Sequence, residues 1–313
     1  MNIHQFHYVL AVAEFRHFEL AAEKCHISQS TLSTMIAKFE EEVGVRIFNR
    51  KKKPVELTLE GAMIVDQLKI VSKDIDQLFE IAREIKGEVA GDINLSVIPT
   101  VAPFLLPLFL QEFSLQFPKL NIVVREETTE EIRKKLKSRE IDIGIVSIPL
   151  HDKELVELKL YDEPFLFFDA KHVSGKKISL KELKSKNLCL MEEGHCMRTQ
   201  VAELCNPGGA KQPATLNFEY KAGSIDGLIR FVKSNKFSTL LPYLSTLDFS
   251  PEQRRHLSPF SASVPFRSIG LIVHQHFVKK KLLNILRDRI IARTSGLLPK
   301  LDAKSQMLNP IGS

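Results

Sequence analysis

The apolar residues Ile64, Leu68, Val71, Ile75, Leu78, Ala82 and Ile85 follow one another at alternating steps of four and three. A 3.5-residue period makes a single stripe only on an α-helix, and this one predicts a continuous helix carrying an a/d seam over about three heptads. The helix starts after Thr58 and stops at Lys86-Gly87-Glu88 and Gly91. One apolar stripe on a long helix needs a cover. The simplest is the same helix of a second subunit; packing on the chain's own downstream domain is the alternative. The chain is therefore read as residues 1–58, a linker helix over 59–88, a domain over 91–295, and 296–313, which has no clear pattern and is expected to be a tail.

Ahead of that helix, Ile3, Phe6, Leu10 and Ala13 mark one helical face, and Phe18–Lys24 a second short helix with small Ala21 and Ala22 for close crossing. Cys25-His26-Ile27 makes a tight turn, and Ser28 is suited to cap a third helix that runs to about Glu42 and ends at Gly44. Leu32, Ile36 and Phe39 form its inner face. Gln29, Ser30, Thr31, Ser33, Thr34 and Lys38 are left outside, with Ser28 at their head. A polar, mostly uncharged helix start suits base edges in the major groove of double-stranded DNA, although an ordinary solvated face has the same composition. Val45–Asn49 and Val55–Leu59 are expected to pair as a small wing around Arg50-Lys51-Lys52-Lys53-Pro54. With Arg46 these place five cations within eight residues, the charge density that phosphate contacts need. The net charge of +6 over 313 residues permits an acidic partner without demanding one.

Beyond residue 91 strand and helix patterns alternate: Asp92–Ile98, Val101–Phe117, Asn121–Glu127, Glu130–Arg139 and Ile141–Ile148, then an extended Leu155–Phe168. A second set follows at Leu188–Met191, Leu216–Tyr220, Ser224–Ser234 and Phe237–Pro242. Ser268–His274 and Lys280–Thr294 are placed to return to the first set. Alternation of this kind predicts two α/β lobes with a largely parallel sheet, and ligands collecting at strand ends where helices begin.

Four cysteines in a chain of this length are no disulfide framework. The first residues lack a signal peptide's cationic start and cleavage site, and no apolar run reaches membrane-spanning length, so a cytoplasmic protein without a membrane partner is expected. The stretch Leu188–Pro207 carries Cys196 and Cys205, nine positions apart, with His195 and Arg198 beside the first. Gly194 breaks the preceding run and Met197–Leu204 reads as helix, so Cys196 lies near a helix start. There, cations and the helix dipole favour the nucleophilic thiolate. Two small buried hydrophobes are the plainer reading. If the segment is one helix, the two Cα atoms are about 13 Å apart, too far for a disulfide unless the helix partly unwinds. Thr100, after a strand, is a natural helix cap. Thr128 with Glu131 forms a capping box that leaves the Thr129 hydroxyl available. The spacing of Cys189, His195, Cys196 and Cys205 matches no zinc pattern, and the chain has no P-loop, GxGxxG, HExxH or CxxC; neither metal nor cofactor is expected.

Over nearly its whole length the chain resembles the LysR-type transcriptional regulators. Ala21–Arg50, AAEKCHISQSTLSTMIAKFEEEVGVRIFNR, is similar to their DNA-binding signature. More narrowly, RHFELAAEKCHISQSTLS (Arg16–Ser33), IPTVAPFLLP (Ile98–Pro107), YDEPFLFF (Tyr161–Phe168) and MEEGHCMRTQVAELC (Met191–Cys205) resemble the branch that senses hydrogen peroxide. The resemblance implies an α/β chain with an N-terminal winged helix-turn-helix, a long linker helix and a two-lobed effector domain of the periplasmic-binding-protein type. It implies a homo-oligomer built as a dimer of dimers, acting as an activator on a promoter operator with RNA polymerase. It places the peroxide-reactive thiol on Cys196, the resolving thiol on Cys205, peroxide-holding groups on Thr100, Thr129, His195 and Arg267, and resetting by thiol reductants. Where some members carry a histidine ahead of the helix containing Leu228, this chain carries Glu219, which bears on the reaction rate. Two other readings stay open. One is a regulator that binds a small organic effector between the lobes, with structural cysteines. The other is a thiol peroxidase, in which the cationic wing and the heptad helix would have no role.

Overall fold

The computed structural model describes residues 2–86, 88–171, 176–184, 186, 188–204 and 220–310. The chain divides into two compact units at residues 87 and 88.

The first unit contains α1 (Ile3–Phe15), α2 (Phe18–Lys24), α3 (Gln29–Val43), the two-stranded wing β1 (Phe48–Asn49) and β2 (Glu56–Leu57), and α4 (Leu59–Ile85). Ser28 caps α3, its hydroxyl accepting from the Thr31 amide at 3.2 Å. Gly44 ends α3 at φ +69°, a left-handed turn that a side chain would strain. Val9, Val12, Ala21, Leu32, Ile36, Phe39 and Ile47 fill the core. The stripe on α4 divides in two. Leu68, together with Val65 from outside the expected seam, is buried in this core, where α4 packs on α1. Further along, Leu78 is 66% and Ile85 81% exposed, beside exposed Phe79 and Ile81. The period was legible, but its first turns serve the unit's own core and only the later turns stand open.

The second unit runs β3 (Gly91–Val97), α5 (Ala102–Gln116), β4 (Leu120–Glu126), α6 (Thr129–Lys137), β5 (Ile143–Ile148), β6 (Leu155–Asp169), α7 (Leu180–Leu183), α8 (Cys196–Leu204), α9 (Ile225–Asn235) and β7 (Ser238–Pro242). A 3-10 turn at Tyr243–Thr246 follows, then α10 (Pro251–Arg254), β8 (Leu257–Ser258), β9 (Pro265–His274), α11 (Lys280–Thr294) and β10 (Gln306–Met307). Strand order is β4-β3-β5-β9-β6-β7. The sheet is less parallel than the alternation suggests. β3 is parallel to β4 and β5, whereas β9 is antiparallel to β5 and β6, and β6 to β7. The reason is the route of the chain: β6 leaves the first lobe and β9 returns to it, so the two oppose each other. Residues Leu155–Pro164 of β6 pair with β9 and Phe165–Asp169 with β7, so one strand serves both lobes. Each lobe has its own core, one around Leu105, Phe109, Ile145 and Leu271, the other around Phe165, Val201, Leu228 and Leu240.

Two further expectations change. Leu188–Met191 makes single bridges, Leu188 to Ser238 and Met191 to Ala222, and no continuous strand. Of the strand expected at Leu216–Tyr220, residues 216–219 lie outside the described residues. The segment expected as a tail returns to the domain: β10 lies parallel on β9, and Leu308 is fully buried in the second core. A strand of two residues has too little period to be recognised from sequence.

Candidate thiol site and nucleic-acid interface

Cys196 is the first residue of α8 and is 6% exposed. Gly194, at φ +95°, turns the chain into it and lies against the N-cap of α6: a Cβ there would stand 3.9 Å from the methyl of Thr128. Thr128 and Glu131 form the expected capping box, the Thr128 amide donating to the Glu131 carboxylate at 2.8 Å. Thr129 is thereby the first helical residue of α6, with its hydroxyl released from capping. That oxygen is buried, has no oxygen or nitrogen partner among the described residues, and acts on the Cys196 sulfur.

The rest of the site is assembled from far along the chain. Arg267 on β9 and Glu163 on β6 are register partners, and each is 1% exposed. Arg267 donates from Nε to Glu163 at 2.9 Å, from Nη1 to the Thr100 hydroxyl at 2.9 Å and from Nη2 to the Thr100 carbonyl at 3.0 Å. The other carboxylate oxygen of Glu163 accepts from the Leu244 amide at 2.8 Å. A buried cation is tolerable only with such a full set of partners. Thr100 is not the cap of α5; Val101 holds that position without a side-chain bond. Because its oxygen accepts from Arg267, the Thr100 hydroxyl has its own proton to give.

Burial raises the Cys196 thiol above its ordinary value. The Arg267 charge, the Thr129 hydroxyl and the amides of Met197 and Cys196 itself work against that rise without cancelling it. The cation and helix start expected to favour the thiolate are thus present, but desolvation outweighs them. The cation is Arg267: Arg198 is turned away, donating to the Met191 carbonyl at 3.0 Å. Burial also lowers the half-buried His195, with Glu192 opposing, which favours the neutral ring. Cys189 is buried and pushed up to about 11. Cys25 is raised by burial, partly offset by Lys24. Cys205 and Glu219 lie outside the described residues. Among the described residues no group of three or more His, Cys, Asp or Glu could hold a metal, and no helix is long and apolar enough to cross a membrane.

Glu163 is the site residue that sequence reasoning missed. Its signal was there: the run Tyr161–Phe168 carries adjacent carboxylates, Asp162 and Glu163, strand alternation turns one of them inward, and that one must find a buried partner.

On the first unit Gln29, Ser30, Thr31, Thr34 and Lys38 are exposed along α3, and Ser33 is half-buried. Ser28 is occupied with Ser30 and Thr31, hydroxyl to hydroxyl, at 3.0 and 2.8 Å, and Thr34 donates to the Ser30 carbonyl at 2.9 Å. Arg50 folds back onto α3: it donates to Ser33 at 2.8 Å and to Glu40 at 3.1 Å and lies 5.1 Å over the Phe18 ring. It braces the wing. Lys52 pairs with Glu56 at 2.6 Å on the open surface, where such a pair holds little energy. Lys51 and Lys53 are exposed beside it. Replacing Lys51 and Lys53 with alanine is expected to weaken binding on all DNA and to reduce the salt slope by about two. Gln29→Ala is expected to cost about 1–3 kcal/mol on the operator and little on random DNA. Titrations of both DNAs at several salt concentrations check this; equal losses on the two DNAs for both variants would reject the division of labour.

Residues 3–62 match the family model for the bacterial regulatory helix-turn-helix protein of the lysR family, and residues 86–294 that for the LysR substrate binding domain. The DNA-binding transcriptional dual regulator OxyR of Escherichia coli is 32% identical over 96% of this chain and 98% of its own length. The hydrogen peroxide-inducible genes activator of Haemophilus influenzae is 30% identical over 87% of this chain and 90% of its own. Among solved structures, a full-length OxyR variant from Pseudomonas aeruginosa superposes with a TM-score of 0.73 at 30% identity, over 93% of this chain and 98% of that one. The chain therefore belongs to the LysR family of helix-turn-helix transcriptional regulators, and its likeness within that family is to OxyR.

Proposed function

We propose that this regulator senses hydrogen peroxide through Cys196 and passes the signal to DNA by a reversible disulfide with Cys205. The observation that carries the reading is a buried thiol at a helix start, faced by a hydroxyl with no other partner, in the field of a buried arginine that also orients Thr100. The Cys196 thiolate attacks one oxygen of the peroxide. The S–O bond forms as the O–O bond breaks, and the second oxygen leaves as hydroxide and takes up a proton to become water. Thr100, Thr129, His195 and Arg267 are the groups that hold the peroxide and meet that developing charge. Cys196 is left as sulfenic acid, and the thiol of Cys205 displaces its hydroxyl as water to form the disulfide.

The helix makes the chemistry a mechanical event. α8 places Cys196 and Leu204 about 12 Å apart, and a chain step of about 3.8 Å cannot bring the next Cα within the roughly 6.8 Å a disulfide allows while the helix is intact. Closing the bond therefore selects an unwound α8. The second unit repacks, and the DNA-binding units of an oligomer shift against each other. The exposed turns of α4 around Leu78 and Ile85 supply a dimer seam for that oligomer. Activation with RNA polymerase, in the cytoplasm, and resetting by cellular thiols complete the cycle. The protein reacts once per reset and is a regulator rather than an enzyme. Mass mapping of all four cysteines before and after a brief low dose of peroxide is expected to find Cys196 oxidised first and then joined to Cys205. No change at Cys196 would move the signal to a small organic effector between the lobes.

A further inference from the structure

The C-terminal segment closes over the helix that carries the thiol. In β10 the Gln306 amide donates to the Val264 carbonyl at 2.9 Å, and one residue past the strand the Leu308 amide donates to Phe266 at 2.8 Å. The Ser268 hydroxyl, which donates to the Asp162 carboxylate at 2.6 Å, lies 3.6 Å from the Met307 sulfur. The Leu308 side chain is fully buried in the same cluster as Met197, Val201 and Leu204, the apolar face of α8. Its carbonyl accepts from Nε2 of Gln200 at 3.0 Å. Gln200 lies one helical turn after Cys196 and is itself fully buried. The same Nε2 donates to the Ser147 hydroxyl at 2.9 Å, and Ser147 donates to the Ser268 carbonyl at 3.3 Å. One side chain of α8 is thus tied at once to β5 in the first lobe and to the end of the chain.

We propose that residues 306–308 form a latch that holds α8 helical in the reduced protein, and that it must release before the disulfide closes. The proposal rests on the disulfide reading above. Gln200 sits midway along the segment that has to shorten, so it cannot keep both Nε2 bonds when α8 unwinds. Leu308 would lose part of the apolar cluster it shares with Val201 and Leu204 in the same movement. The latch is also incomplete. Gln200 Oε1 is buried with no partner among the described residues, a burden that opening relieves. The closed state is therefore held mainly by the Leu308 contact and the Nε2 bonds, which makes the segment a brake on the second chemical step and not on the first.

The test uses the full-length chain with Leu308→Ala and, separately, Gln200→Ala. Hydrogen exchange of the reduced proteins over residues 198–204 is expected to quicken about tenfold in each, which converts to about 1.4 kcal/mol. Rapid-quench mass spectrometry after peroxide is expected to show Leu308→Ala forming the sulfenic acid within about twofold of the unaltered rate and closing the disulfide about tenfold faster. Unchanged exchange in both folded variants overturns the latch. So does faster exchange with unchanged disulfide closure. If the unaltered chain forms no Cys196–Cys205 bond, the disulfide reading fails, while the exchange arm still decides whether the segment holds α8. If Leu308→Ala does not fold, Gln200→Ala, which keeps the Leu308 seat, decides through both measurements.

Discussion

With serine at position 196, hydrogen peroxide is expected to leave DNA binding and transcription unchanged at every dose that switches the unaltered protein. Serine nearly matches cysteine in size and is well suited to a helix start, so α8 and the reduced fold are preserved. What is lost is the thiol sulfur proposed to attack the O–O bond. Footprinting and reporter transcription with and without peroxide check this. The expected result is a protein fixed in its reduced mode of binding. A response that survives in Cys196→Ser and disappears in Cys189→Ser would reassign the nucleophile, against the burial that pushes Cys189 up to about 11.

The second large effect is expected at Arg267. Arg267→Met strands the Glu163 carboxylate in the core with only the Leu244 amide. Breaking a buried pair in this way costs about 3–5 kcal/mol, and in a domain of this size each kcal/mol lowers Tm by roughly 2–4 °C. Peroxide reactivity at Cys196 is expected to fall about 10²–10³-fold, the scale for removing one oriented donor from a reacting centre. Packing and chemistry are separable. Adding Glu163→Gln removes the stranded charge and is expected to restore much of the stability and none of the rate. A double variant that regains both would make Arg267 a purely structural residue. The pH dependence gives an independent sign. The Cys196 thiol lies above its ordinary value, so the reactive thiolate grows with pH through the neutral range, and the oxidation rate rises with it. Loss of Arg267 removes the first of the influences lowering that value, so the rate profile of Arg267→Met is expected to move to higher pH. An identical profile would show that the arginine's charge does not reach the sulfur.

Much of this protein is legible in its local patterns. Ser28 as a cap, Gly44 as a helix end, the Thr128–Glu131 capping box and the span Lys280–Thr294 all depend on residues within one or two turns of one another. Backbone geometry is decided over that range, so the sequence alone determined the helix-turn-helix, the long α4, the alternation of the second unit, and the position of Cys196 at a helix start. The family resemblance added which side chains to watch.

The tertiary structure decided what those side chains do. Arg267 reaches Glu163 across 104 positions and Thr100 across 167, and no local period encodes the partner of a buried charge. Arg50, one of a row of cations, braces the wing because Ser33, Glu40 and Phe18 happen to surround it. Gln306–Leu308 can serve as the proposed latch only because Pro265 and Phe266 of β9 extend past the end of β5 and α8 presents an apolar face. The direction of the Cys196 thiol followed the same rule. Sequence supplies the charges and dipoles that lower it, but desolvation depends on everything packed around the sulfur, and that exists only once the chain has folded.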